Sequence, residues 1–166
     1  MTDGTVKRRL FRLLGRRPRQ VAPPACWAGP AGAPRVLIEE YDSALREAMT
    51  KALEGAGYQT ASCSGPGHHG EGSCPLVDGS GCPAVDDADV VLQVLAPHDL
   101  AMDDVRKAIQ DHEPDLSIAV MAPRAMAARH PDLVEGTQIW TGPLSSEGVA
   151  TAVDQALTAS HAPGTR

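Results

Sequence analysis

From Arg35 onward, short apolar runs alternate with amphipathic stretches, and this alternation constrains the fold more than any other feature of the chain. Val36-Leu37-Ile38 is a buried-strand run that ends in Glu39-Glu40. Asp42 or Ser43 can cap the helix that follows. In that helix Leu45, Ala48, Met49, Ala52, Leu53 and Ala56 share one face, and Gly55 or Gly57 closes it. Tyr58–Cys63 reads as a second strand and Asp89–Ala96 as a third, the most apolar of the set. Leu100, Ala101, Val105, Ala108 and Ile109 supply a helix face. Ser117–Ala122 is a fourth strand, a short Ala-rich helix spans Arg124 to Arg129, and Thr137–Thr141 is a fifth strand. Ser145 caps a last helix with Val149, Ala152, Val153, Ala156 and Leu157 inward. Such alternation predicts an α/β fold: an open, five-stranded parallel sheet in 2-1-3-4-5 order with helices on both faces. Functional groups then gather at the carboxyl ends of the strands, at Glu39, Glu40, Asp42, His98, Asp99 and the loop after Trp140. No glycine-rich nucleotide fingerprint follows the first strand.

The rest of the chain divides by charge. The net charge of -6 over 166 residues conceals an asymmetry. Residues 1–20 carry Lys7, Arg8, Arg9, Arg12, Arg16, Arg17 and Arg19 against the single acid Asp3. Of the 15 basic and 21 acidic residues in the chain, 8 and 20 remain for residues 21–166. An acidic body argues against whole-domain nucleic-acid binding, and 3% aromatic content leaves little for base stacking. The arm at residues 6–19 has Leu10, Phe11, Leu13 and Leu14 on a basic background. This pattern admits a short amphipathic helix for an anionic membrane surface or an acidic partner, or else a disordered tail. Arg12 interrupts the apolar run that a signal peptide needs, so a cytoplasmic location is expected. No apolar run approaches a bilayer-spanning length. Residues 21–34 read as a Pro/Ala/Gly linker, 35–160 as the domain and 161–166 as a flexible tail.

The stretch Arg35-Val-Leu-Ile-Glu-Glu-Tyr-Asp-Ser-Ala-Leu-Arg-Glu-Ala-Met-Thr-Lys-Ala-Leu-Glu-Gly-Ala-Gly-Tyr58 resembles the start of response-regulator receiver (CheY-like, flavodoxin-like) domains of bacterial phosphorelays. Gly142-Pro143-Leu144 and the helix after it resemble that family's Lys-Pro turn and last helix. The resemblance implies an acidic pair that holds Mg²⁺, an acceptor Asp on the third strand, and a Ser/Thr and a Lys that read the phosphoryl group. Placed on this chain, the acidic pair falls on Glu40 and Tyr41, the acceptor on Val94 or Gln93, the hydroxyl on Ala122 and the lysine on Gly142. A valine or an amide is no carboxylate nucleophile. The resemblance therefore implies a pseudo-receiver, a non-enzymatic signalling module that works through protein–protein contacts without aspartyl phosphorylation. Glu39, Glu40 and Asp42 form an acidic set open to a divalent cation, or are solvated acids at a strand end. An enzyme built on Glu40, Asp42, His98 and Asp99 lacks an evident nucleophile–base pair.

Where receivers carry a second helix, residues 63–87 form a Cys/Gly-rich loop with six glycines between Cys63 and Cys82. Cys63, Cys74 and Cys82 with His68 and His69 match the donors of a Zn²⁺ site, although gaps of ten and seven residues exceed those of a usual knuckle. The same thiols admit an iron–sulfur cluster, and the two Cys-Pro pairs admit, less readily, a thiolate-ligated haem. A metal-, iron–sulfur- or redox-responsive sensor is thus the alternative reading, beside a disulfide or free thiols. Cys26 reads as a surface thiol or a fourth ligand, and His98, His112 and His130 as surface or cap histidines.

Overall fold

The computed structural model describes residues 26–65, 74–95, 100–129, 131 and 136–160. Five strands, β1 (Arg35–Glu39), β2 (Gln59–Cys63), β3 (Val90–Val94), β4 (Ser117–Met121) and β5 (Gln138–Trp140), form a parallel sheet in the order β2-β1-β3-β4-β5. The helices are α1 (Ser43–Gly55), α2 (Pro83–Asp86), α3 (Leu100–His112), α4 (Arg124–Arg129) and α5 (Ser146–Ser160). Fold class and strand order match the expectation from the sequence.

Alternation along each strand sorts the core into two layers. Val36, Ile38, Val90, Leu92, Ala119 and Met121 pack with Met49 and Leu53 of α1 and with Val149, Ala152, Val153 and Ala156 of α5. Leu37, Val91, Ile118 and Val120 face Val105 and Ile109 of α3. Among the described residues, no full helix between β2 and β3 covers this second layer. Leu76 and Val85, the latter in the four-residue α2, pack there instead, with Cys74 and Cys82 against the same cluster. Within the Cys/Gly-rich 63–87 segment, this four-residue helix is the regular element among the described residues. Pro83 at its first turn starts it, because a proline needs no amide partner there.

The helix starts follow the expected chemistry. Asp42 Oδ1 accepts from the amides of Ala44 and Leu45, each at 2.9 Å, and Ser145 Oγ accepts from Gly148 N at 3.1 Å. Within the Pro/Ala/Gly stretch, Ala28 bridges Thr60 antiparallel through bonds of 2.8 and 2.7 Å. Half-buried Trp27 joins the second layer, and the Arg35 guanidinium stands 5.7 Å from its ring centre. This segment thus covers part of the β2 edge, which would otherwise be open to pairing. None of the described helices is long and apolar enough to cross a membrane. The basic arm and the 161–166 tail lie outside the described residues.

Two predictions follow from these contacts. Asp42→Ala removes the α1 cap and should lower unfolding free energy by about 0.5–2 kcal/mol in urea titrations. The Tyr58 hydroxyl donates to Asp154, and burial first, then this carboxylate, raises the Tyr58 pKa. A raised pKa means the folded chain holds the proton more tightly than the unfolded one. The contribution is complete below the ordinary tyrosine pKa of about 10 and declines as pH rises above it. Tyr58→Phe should remove that alkaline decline, read as urea midpoints on either side of pH ~10.

Candidate functional site

Parallel register builds a row across the carboxyl end of the sheet. Glu39 stands opposite Cys63 on one side and opposite Gln93 on the other. Partners in register point to the same face, here the one lined by Leu37 and Val91. Glu39 and Gln93 are 2% and 4% exposed, and the Gln93 amide donates to Glu39 Oε2 at 2.6 Å. Buried polar groups at a strand end require such partners, so this pair fixes both side chains. Gly65, at φ +64°, crosses above them. A Cβ there would stand 3.0 Å from Glu39 Oε1 and 3.1 Å from Met102 Sδ of α3. The chain thus passes over the carboxylate at a distance that suits glycine.

Glu40 points the other way, as alternation requires. It is buried, its Oε1 accepts from the Asp42 amide at 2.8 Å, and its own carbonyl receives the Arg46 guanidinium. Asp42 is turned to the α1 amides. Glu39, Glu40 and Asp42 are therefore neighbours in sequence whose carboxylates serve separate local structures. Among the described residues, the group of three His, Cys, Asp or Glu ligand atoms lying within 4.8 Å of one another is Asp86, His112 and Glu113, all exposed. There His112 Nε2 meets Asp86 Oδ1 at 2.7 Å and ties α3 to α2.

Of the three loop cysteines, Cys63 stands in register with Glu39, and Cys74 and Cys82 pack against the second core layer. Burial, then the Glu39 carboxylate, pushes the Cys63 thiol up to about 12, with smaller contributions from Cys82 and Cys74. The Gly65 amide acts in the opposite sense. Although Cys63 has surface exposure, the protein atoms packed around its sulfur make the thiolate costly. Cys74 is raised chiefly by burial. The Val77 and Leu76 amides on its sulfur oppose the rise, and Glu39 and Cys82 add to it. The turn after Cys74 is closed by Asp78 N to Cys74 O at 3.1 Å and Ser80 N to Pro75 O at 2.7 Å. Cys82 caps α2 through its backbone. All four cysteines are free, and exposed Cys26 lines with Cys63 a cleft of about 320 Å³ along the β2 edge. His68, His69, His98, Asp99 and His130 lie outside the described residues.

The positions that the family resemblance singles out are occupied as follows. Val94 is packed against the first core layer, Gln93 is tied to Glu39, and Ala122 is buried at the end of β4. The Trp140 indole lies over Gly142, where a Cβ would come within 2.4 Å of Cζ2. Sequence reasoning overlooked the Gln93–Glu39 pair and the Trp140 contact. The first was signalled only by a polar residue inside the most apolar strand. The second was signalled by a tryptophan two residues before a glycine.

A thiol at about 12 holds roughly a thousandfold less thiolate than a cysteine at the ordinary value of 9.0. Alkylation of metal-free protein with iodoacetamide at pH ~8, followed by peptide mass spectrometry, should therefore label Cys63 long after Cys26. Equal rates would contradict the environment described for Cys63.

No family model and no curated protein matches the chain. Solved structures do match it. A response-regulator receiver protein from Sinorhizobium medicae aligns with TM-score 0.57 at 19% identity, over 80% of this chain and 100% of its own. A receiver domain protein from Clostridium thermocellum gives 0.57 at 16%, over 76% and 95%. The non-phosphorylated HemR receiver domain from Leptospira biflexa gives 0.53 at 18%, over 80% and 97%. With the 2-1-3-4-5 parallel sheet, these likenesses give the chain its place by shape: its fold is that of a response-regulator receiver domain.

Proposed function

We propose that this protein is a signal-transduction module of the pseudo-receiver kind, acting through protein contacts rather than by aspartyl phosphorylation or catalysis. The observation that carries this reading is the end of β3. A phosphoryl acceptor there must be a carboxylate open to an incoming phosphodonor. Val94 is an apolar, half-buried side chain packed against the core, and Gln93 is an amide, 4% exposed and bonded to Glu39. A second observation supports it. A transferred phosphoryl group needs fixed donors or cations for its oxygens. Ala122 offers no hydroxyl, and the Trp140 indole fills the space that a long side chain at Gly142 would enter.

A module without its own chemistry must be read by its surface. On and after the edge strand β5, Ile139 and Leu144 are 40% and 50% exposed, and Tyr41 beyond β1 is 39% exposed. Apolar side chains at a sheet edge suit a protein partner. The basic arm adds a contact element for an acidic partner or an anionic membrane surface, and a cytoplasmic setting fits this reading.

Incubation with acetyl phosphate and Mg²⁺, followed by intact-mass and peptide mass spectrometry, tests the proposal. The expected result is unmodified protein under conditions that label an active receiver control. A phosphoryl group on a side chain of residues 90–99 would overturn it.

A further inference from the structure

We propose that Asp86, His112 and Glu113 form a binding site for a borderline divalent transition cation of the Ni²⁺ and Zn²⁺ class, joining the end of α2 to the end of α3. The inference goes beyond the signalling reading and stands apart from it. Three observations carry it.

The first is convergence in space. Asp86 ends α2, His112 ends α3 and Glu113 follows it, so the donors come from two elements, with Asp86 and His112 separated by 26 positions. One ligand atom from each residue lies within 4.8 Å of the other two, and His112 Nε2 stands 2.7 Å from Asp86 Oδ1. Atoms held about 2.0–2.2 Å from one ion stand no more than about 4.4 Å apart. The three side chains are exposed, and a small rotation lets them share an ion.

The second is the backbone beneath the donors. Val85, beside Asp86, and Ile109, one turn before Glu113, are both buried in the second core layer. The Asp86 amide donates to the Cys82 carbonyl at 3.0 Å, and the Glu113 amide donates to the Ile109 carbonyl at 2.8 Å. Core packing and helix bonds therefore fix the chain that carries the donors, while the donors themselves reach solvent. A site mounted on fixed elements loses little conformational freedom when its ligand binds.

The third is charge left unanswered. On the connection from α2 to β3, Asp87 pairs with the Arg35 guanidinium at 3.7 Å, and Asp89 accepts from the Arg35 amide at 2.7 Å. Asp86 and Glu113 instead bring two carboxylates to one imidazole. Among the described residues, neither forms an ion pair with a lysine or arginine. The carboxyl end of α3 adds the partial negative charge of its last carbonyls, which also favours a cation.

One imidazole nitrogen and two carboxylate oxygens, with water in the remaining positions, suit Zn²⁺, Ni²⁺ or Co²⁺. The imidazole sets the site apart from the all-oxygen sites of Mg²⁺ and Ca²⁺. Neutral His112 binds through Nε2 with its proton on Nδ1, and the ion takes the place of the Nε2–Oδ1 hydrogen bond. Occupancy then ties α2, and with it the segment anchored by Leu76 and Val85, to the end of α3.

The test uses full-length, tag-free, ¹⁵N-labelled protein stripped with chelator and titrated with NiCl₂. Paramagnetic Ni²⁺ should broaden the amide resonances of residues 84–88 and 110–114 saturably. His112→Ala should abolish that broadening, and Asp86→Asn and Glu113→Gln should move its midpoint to higher Ni²⁺. The nickel-free spectra of these variants should match the unaltered protein outside the two stretches, which separates a lost ligand from a lost fold. A second readout needs no variant. In the unaltered protein, Ni²⁺ should shield His112 from diethyl pyrocarbonate, read by peptide mass spectrometry. The proposal is overturned by broadening confined to the 63–82 segment, spread over surface carboxylates without saturation, or absent. It is equally overturned by broadening at 84–88 and 110–114 that persists in His112→Ala, or by equal modification of His112 with and without Ni²⁺. None of these failures bears on the acetyl phosphate result, which concerns the end of β3.

Discussion

The hydrogen bond from Gln93 to Glu39 is the constraint around which the carboxyl end of this sheet is organised. It joins the last residue of β1 to the penultimate residue of β3 in register, on the face where Leu76 and the four-residue α2 pack. A buried carboxyl side chain without donors would be costly, and so would an unpaired amide. Each answers the other, and the pair forms a polar floor at one end of an otherwise apolar layer. What lies above follows from that floor. Gly65 crosses close to the Glu39 oxygen, Met102 of α3 abuts the same point, and Cys63 stands in register beside it. In a phosphorylatable receiver this end of the sheet must stay open to a phosphodonor. Here Gln93 and Glu39 are buried at that end and bonded to each other.

A full second helix would cover Leu37 and Val91 along its length. In its place a turn and the four-residue α2 bring only Leu76 and Val85 to that layer, with Cys74 and Cys82 beside them. On the opposite face the core is conventional, with α1 and α5 packed on Val36, Ile38 and Leu92 and pinned by the Tyr58–Asp154 contact.

The sheet and its long helices were legible because their signals are local. Val36-Leu37-Ile38 and Val90-Val91-Leu92 are apolar runs, the α1 face repeats at helical spacing, and Asp42 and Ser145 are capping residues at helix starts. Strand order followed from right-handed crossovers. The site was legible only as a set of residue types. Glu39 and Glu40 were grouped by adjacency, yet adjacent strand residues face opposite layers, and Asp42 was committed to its helix. The Gln93 partner depends on register between strands 54 residues apart, which no local pattern encodes. Trp27 and Ala28 sat inside a Pro/Ala/Gly stretch, and their bridge to Thr60 is likewise non-local. In the cysteine loop, composition marked the thiols, but the surroundings of each sulfur appear only once the chain is folded.

The most direct measurement of the central claim, that the end of β3 is closed by Glu39 and Gln93 and not open for phosphoryl transfer, is an amide NMR titration with Mg²⁺ and beryllofluoride, the stable mimic of an acyl phosphate. The account predicts that the resonances of Glu39, Glu40, Gln93 and Val94 stay in place through the titration. Saturable shifts centred on those residues would show a working acceptor site and contradict it.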